Sequence, residues 1–176
     1  MQFTPTQIPD VIVIIPKVFA DDRGYFTETY HHPKFSEAGI CDIFVQDNES
    51  LSQQGTLRGL HFQRAPKAQA KLVRVTEGEI FDVAVDIRPE SPTYLNWVGV
   101  TLSAQNKHML YVPKGFAHGF YVTSAVAKVT YKCSDVYAPE AEGGLAWHDP
   151  AINIQWPLTD KGLPELSVKD RGWKFI

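Results

Sequence analysis

The sequence predicts an all-β fold, an antiparallel barrel or sandwich with only short helices at its edge. Three observations carry that reading: short stretches rich in Val, Ile, Tyr and Phe recur along 176 residues, turn residues separate them, and no window of eleven or more repeats apolar side chains at helical spacing between caps. Closing a sheet on itself, or stacking two, is how such a chain hides its strand edges. The length suits one domain, residues 1–176, burying roughly 70% of the surface that the unfolded chain exposes.

Taken in order, VIVIIPKVF (11–19) and YFTETY (25–30) are the first strand segments, and HPKFSEAGI (32–40) is the one weak helix candidate. LRGLHFQ (57–63) is an apolar strand that carries Arg58 and His61. KLVRV (71–75) and IFDVAVDIR (80–88) flank TEGE, where Gly78 can take the positive φ of a tight hairpin. A two-residue Glu77-Gly78 loop pairs Thr76 with Glu79. It also places Lys71, Val73 and Val75 on one face with Ile80, Asp82 and Ala84, and Leu72 on the other with Val83. NWVGVTLS (96–103), HMLYVP (108–113), VPKGFAHGFYV (112–122) and AKVTYKCSDVY (127–137) complete the strands, and the tail from WPLTDKGLPELSVKD (156–170) onward reads as a loop or short helix laid over the body.

Formal charge is −3 and the basic residues are scattered, so neither a nonspecific nucleic-acid surface nor a polybasic membrane anchor is expected. MQFTPTQIPD lacks the regions of a secretory signal, and the longest apolar run, VIVII at 11–15, is far too short to cross a bilayer. These features predict a soluble, cytoplasmic chain. Cys41 and Cys133 have neither metal-ligand spacing nor a paired framework, which fits free thiols in a reducing compartment, with packing as their ordinary role.

His61 shares a strand face with Gly59, whereas Leu60 and Phe62 face the other way. A lone histidine in a strand is ordinarily a hydrogen-bonded core residue. His118, again set among glycines and aromatics, makes a pair that suggests a lined cavity. Metal-binding β-barrels commonly supply a His-x-His pair with a carboxylate close behind; here Gln63 takes the second ligand position, and Lys67 and Lys71 follow where cations would repel a metal. No metal and no cofactor is therefore expected. His61, Lys71, Tyr131 and an acid instead make a proton-transfer set: a neutral imidazole takes a proton from carbon beside a carbonyl, an ammonium stabilises the enolate, and a phenol donates a proton. Arg23, in a turn, and Arg58, set between leucines at 57 and 60, suit anionic oxygens.

These residues sit in motifs that resemble the dTDP-4-dehydrorhamnose 3,5-epimerase family. DDRGYFTETY, QDNESLSQQGTLRGLHFQ, AQAKLVRVTEGEIFDVAVDIRPESPTY, VPKGFAHGFYV, YKCSDVYAPEAEGGLAWHDPAINIQWPL and LSVKD follow in the family's order over nearly the whole chain. One departure is Leu95-Asn96, where the family pattern has Gly after Tyr94. The resemblance implies a cupin-type jelly roll, usually a homodimer, that works without a metal. Its substrate would be dTDP-4-keto-6-deoxy-D-glucose, inverted at C3 and C5. It further implies His61 as base, Asp170 as its partner, Tyr131 as acid and Lys71 at the C4 oxygen. Arg23, Phe26, Glu28, Gln46, Asp47, Asn48, Arg58, His118, Tyr137, Glu142 and Lys169 would be substrate contacts, with Phe26 and Tyr137 near the thymine. Apart from the resemblance, the Glu77-Gly78 register, if it holds, would put Asp82 beside Lys71 and keep the ammonium charged.

Two points stay open in the residues. Other readings are a related epimerase inverting one carbon, a ketoisomerase, a non-catalytic sugar-binding cupin or a metal-dependent cupin. Arg58 and His61, three positions apart, face opposite ways in a regular strand. Either Gly59 permits a bulge that unites them, or Arg58 serves a phosphate at the rim, across a dimer interface.

Overall fold

The computed structural model describes residues 1–158 and 162–176. In chain order it holds β1 (Gln2–Pro5), β2 (Ile12–Ile15), β3 (Val18–Asp21), β4 (Gly24–Thr27), α1 (His32–Glu37), β5 (Gln46–Gln53), β6 (Leu57–Gln63) and β7 (Lys71–Glu77). There follow β8 (Glu79–Asp86), β9 (Trp97–Ser103), β10 (Met109–Val112), β11 (Phe116–Val122), β12 (Val126–Cys133), β13 (Glu142–Gly144) and α2 (Val168–Arg171). Pro16, which has no N–H to give a ladder, divides the predicted 11–19 strand into β2 and β3. Among the described residues, no helix is long and apolar enough to cross a membrane.

Strand order is β1-β2-β10-β7-β12-β5 in a six-stranded sheet and β13-β6-β11-β8-β9 in a five-stranded one, while β3 and β4 pair only with each other. All the named strand pairs are antiparallel. One buried cluster draws Val73, Val75, Leu110, Val112 and Val129 from the first sheet and Ile80, Ala84, Phe116 and Phe120 from the second, so the sheets stack face to face. Each Val, Leu, Ile or Phe among them stabilises the stack by about 1.5–3 kcal/mol relative to exposure. Outside the stack, Phe35 of α1 packs with Ile14, Leu72 and Met109 on the six-stranded sheet. Ile152 packs with Leu60, Val83 and Val85 on the five-stranded one.

The hairpin predicted at Gly78 does not form. Gly78 takes the expected positive φ of 73°, but β7 pairs with β10 and β12 while β8 pairs with β11 and β9, so Thr76 never faces Glu79. The turn is a corner between sheets. Ser124 Oγ accepts from the Glu79 N–H at 2.8 Å, and a Cβ on Gly78 would lie 1.9 Å from Val126 O. The predicted faces survive, because a strand crossing to the opposite sheet also turns its alternate residues inward. Val73, Val75, Ile80 and Ala84 share the inner cluster, and Leu72 and Val83 lie in the two outer ones.

Candidate active site

The inner layer is apolar at one end and opens at the other into a cavity of about 940 Å³. Its walls are polar because β5, β6, β7, β11 and β12 turn Asn48, His61, Lys71, His118 and Tyr131 inward there. Of the two alternatives left open at Gly59, the bulge is the one present. Opposite β11, His61 pairs with His118 and Arg58 with Phe120, so three steps on β6 answer two on its neighbour. Gly59 has φ +130° and precedes a cis peptide bond. A Cβ on it would lie 2.5 Å from Gly119 Cα and 2.8 Å from His118 O. With parity reset by one residue, Arg58 and His61 both line the cavity.

His61 Nε2 meets Asp170 Oδ1 at 2.5 Å, which leaves Nδ1 free to accept a proton. Asp170 is set by the short helix α2, whose N-cap Ser167 accepts from the Asp170 N–H at 3.0 Å. Burial pushes the Asp170 carboxyl up, but the bonds from His61 and Ser167 outweigh it and hold the group below the usual carboxylate range. His118 Nε2 bonds Asp82 Oδ1 at 2.7 Å. Asp82 is fully buried, and its second oxygen has no partner among the described residues. Burial pushes the His118 imidazolium down against the pull of Asp82, favouring the neutral ring.

The facing sheet carries Lys71 and Tyr131. Burial lowers the Lys71 ammonium from its usual value, with Cys133, Asp82 and Glu142 opposing it. Asp82 thus acts on Lys71 through the field while its hydrogen bond goes to His118. Burial raises the Tyr131 phenol, so it carries its proton at neutral pH. At the mouth, Lys169 bonds Glu142 at 2.7 Å and Tyr137 Oη donates to Glu142 at 3.2 Å. The Lys169 pair overcomes burial to hold Glu142 ionised. Arg58 Nε donates to Ser52 Oγ at 2.9 Å, and Gln46 and Asn48 bond each other at 3.0 Å.

Four expected contacts lie elsewhere. Asp47 points out of the other face of β5 and pairs with Lys132 at 2.9 Å. Arg23 pairs with Asp21, Glu28 with Lys34, and Phe26 is 68% exposed on the β3–β4 hairpin, so none of the three lines this chain's cavity. Conversely, the cavity includes Ser50, Gln69, Cys133 and Phe120, which sequence reasoning missed. Inward alternation with Asn48 on one strand and Tyr131 on the other was the available signal for Ser50 and Cys133. Gln63 ties β6 to the 136–138 segment, donating to Lys67 O at 2.7 Å and accepting from the Ala138 N–H at 2.8 Å. Among the described residues, no three His, Cys, Asp or Glu side chains converge as metal ligands would.

A two-sheet cupin-type β-sandwich with imidazole and carboxylate on one wall, and ammonium and phenol on the other, has the layout that proton transfer in an isomerase calls for. The chain belongs to the family described as dTDP-4-dehydrorhamnose 3,5-epimerase, whose model matches residues 5–176. It is 55% identical over 166 residues to the dTDP-4-dehydrorhamnose 3,5-epimerase of Salmonella typhimurium, covering 94% of this chain and 90% of that one. To that of Pseudomonas aeruginosa it is 54% identical, covering 99% and 95%. A crystal structure of the Legionella pneumophila dTDP-6-deoxy-D-glucose-3,5-epimerase in complex with dTDP-4-keto-L-rhamnose superposes with TM-score 0.95 at 50% identity, over 99% of this chain and 92% of that one. The 3'-monoepimerase ChmJ from Streptomyces bikiniensis, in complex with dTDP-quinovose, superposes at 0.90 with 31% identity, over 98% and 86%.

Proposed function

We propose that this chain inverts C3 and C5 of dTDP-4-dehydro-6-deoxy-D-glucose to give dTDP-4-dehydro-L-rhamnose, with its own side chains moving every proton. The observation that carries the mechanism is the placement of His61 and Tyr131 on opposite sheets across one cavity. Inversion beside a ketone removes a proton from one face of the ring and returns one to the other, so donor and acceptor must stand on opposite sides. His61 Nδ1 takes the C–H proton; the bond pair becomes the enolate double bond and the charge moves to the C4 oxygen. Asp170 stabilises the imidazolium, and Lys71 donates to the oxyanion, a proton more readily shared because burial has lowered its pKa. Tyr131 protonates the carbon from the far side, and solvent restores the proton from imidazolium to phenolate.

His118, Gln46, Asn48, Arg58, Tyr137, Glu142 and Lys169 supply substrate contacts around that axis. Arg23, Phe26 and Glu28 reach the cavity of a second copy: their hairpin projects with Phe19, Tyr25 and Phe26 exposed, and they are absent from the cavity of their own chain. The working unit is then a homodimer of one-domain chains. A reducing cytoplasm suits its unpaired Cys41 and Cys133.

Incubation in deuterium oxide tests the reading. The substrate should take up deuterium at both C3 and C5; uptake at C3 alone would make this chain a monoepimerase, as ChmJ is described, and uptake at neither would end the epimerase reading. His61→Ala should stop exchange at both carbons.

A further inference from the structure

Among the described residues, Ser50 Oγ, Asp82 Oδ2 and Trp173 Nε1 are buried polar atoms to which the mechanism gives no role. Trp173 Nε1 is buried without a partner of full hydrogen-bond geometry among the described residues. Its ring meets the His61 ring edge-on, with centroids 6.3 Å apart and planes at 66°. The slot holding it is built by Gly144, which pairs with His61 in the β13–β6 ladder. A Cβ on Gly144 would lie 2.1 Å from Trp173 Cε2 and 2.6 Å from Nε1, so only glycine leaves room for the indole. The segment is tied down beyond the ring, where Lys174 O accepts from the Ala146 N–H at 3.2 Å and the Ile176 N–H donates to Asp149 Oδ2 at 2.7 Å.

We propose that Trp173 is a positioning residue for the catalytic pair, its indole N–H serving as a further donor to the Asp170 carboxylate while its ring walls the back of His61. This rests on the reading of His61 as the base. Asp170 is already bonded by His61 Nε2 and by its own N-cap contact, and the indole acts on it in the same direction, toward the ionised form. A carboxylate with a donor on each side is fixed in rotation, which fixes the imidazole in turn and keeps Nδ1 aimed at the substrate. The indole also moderates the carboxylate's basicity. Without it Asp170 is the more basic carboxylate and the pair is less firmly aligned. The titratable groups around the pair are Lys169 and Glu142 at the mouth, His118 on β11, and Lys71 and Tyr131 on the facing sheet.

Trp173→Phe keeps an aromatic ring in the slot and removes the N–H. It should lower kcat by about tenfold, the loss of one hydrogen bond to a charged group, with KM within about twofold. The acidic limb of kcat/KM should move to higher pH. A Trp173→Phe enzyme with the unchanged kcat and pH profile would overturn the proposal, since a ring that only packs is replaced by Phe. An independent measurement uses the unaltered indole: its ¹H–¹⁵N resonance should lie downfield with slow exchange, and should move upfield in Asp170→Asn. A resonance indifferent to Asp170→Asn would also overturn it. His61→Ala separates the two readings. If that variant still exchanges the substrate, the base assignment fails. If it is inert while Trp173→Phe behaves as wild type, only the present inference fails.

Discussion

In the proposed mechanism, Lys71 is the side chain on which the energetics of the site turn. An enolate oxygen meeting a fixed ammonium away from water is stabilised by several kcal/mol, and losing a comparable donor costs about 10²–10³ in rate. Lys71→Met should therefore lower kcat by about that factor while leaving nucleotide-sugar binding, read by calorimetry, near wild type. Tyr131→Phe separates two half-reactions: His61 still removes protons, so deuterium exchange should continue while formation of the inverted product falls about 10²-fold or more. His61, Lys71 and Tyr131 were legible as chemistry from residue type and strand alternation. Asp170, 109 positions from its histidine, came only through the family motif, because nothing local to a short polar tail tells which distant side chain it meets. Trp173 gave no local signal of its own, since its surroundings are made by other segments.

At the scale of the element, one backbone irregularity shapes the site and one buried carboxylate holds a turn. Gly59 holds the bulge that brings Arg58 and His61 to one face, and its neighbours leave no room for a methyl group. Gly59→Ala should lose activity together with several degrees of Tm, from backbone at positive φ and from collision with Gly119. At the far end of β8, Asp86 is fully buried and accepts from Arg88 Nε at 2.9 Å, Ser91 Oγ at 2.5 Å and Thr93 Oγ1 at 2.6 Å. Burial alone would raise this carboxyl, yet those donors hold it far below the usual range. A group whose pKa is lower folded than unfolded contributes stability that is complete above the unfolded value, about 4, and lost as pH falls below it. Asp86→Asn should cost about 3–5 kcal/mol at pH 7 and, by thermal melting, flatten the acid side of the stability curve. Most strands were readable from β-branched runs. The strand β5 was not, since its inward residues Gln46, Asn48, Ser50 and Ser52 are polar and erase the alternation, and the corner at Gly78 looked like a hairpin because both need the same glycine geometry. The predicted tail shows the short helix α2, and its stretch at 159–161 lies outside the described residues.

At the scale of the whole molecule, the division of labour between sheets makes two predictions. If Arg23, Phe26 and Glu28 complete a second copy's cavity, Arg23→Ala and His61→Ala are each deficient alone. Mixed after reversible denaturation, they should recover part of wild-type turnover, because a mixed dimer retains one cavity with both residues intact. No recovery on mixing would mean that each chain works alone. Phe26→Ser should also weaken association, seen as a concentration-dependent sedimentation profile. The face-to-face stack was legible as a class, since an all-β chain of this length must close or double its sheets, but which strands share a sheet was not, because strand order is fixed by long-range pairing. The separation of His61 from Asp170 has a consequence in time as well as in space. At roughly 5–20 residues per second of synthesis, the histidine leaves the ribosome about 5–20 s before its carboxylate exists, with most strands of both sheets made in between. The two sheets can collapse around an unfinished site, and in the proposed mechanism the pair is complete only once the segment carrying Asp170 has been made and has docked beside β6, so the fold precedes its chemistry in time.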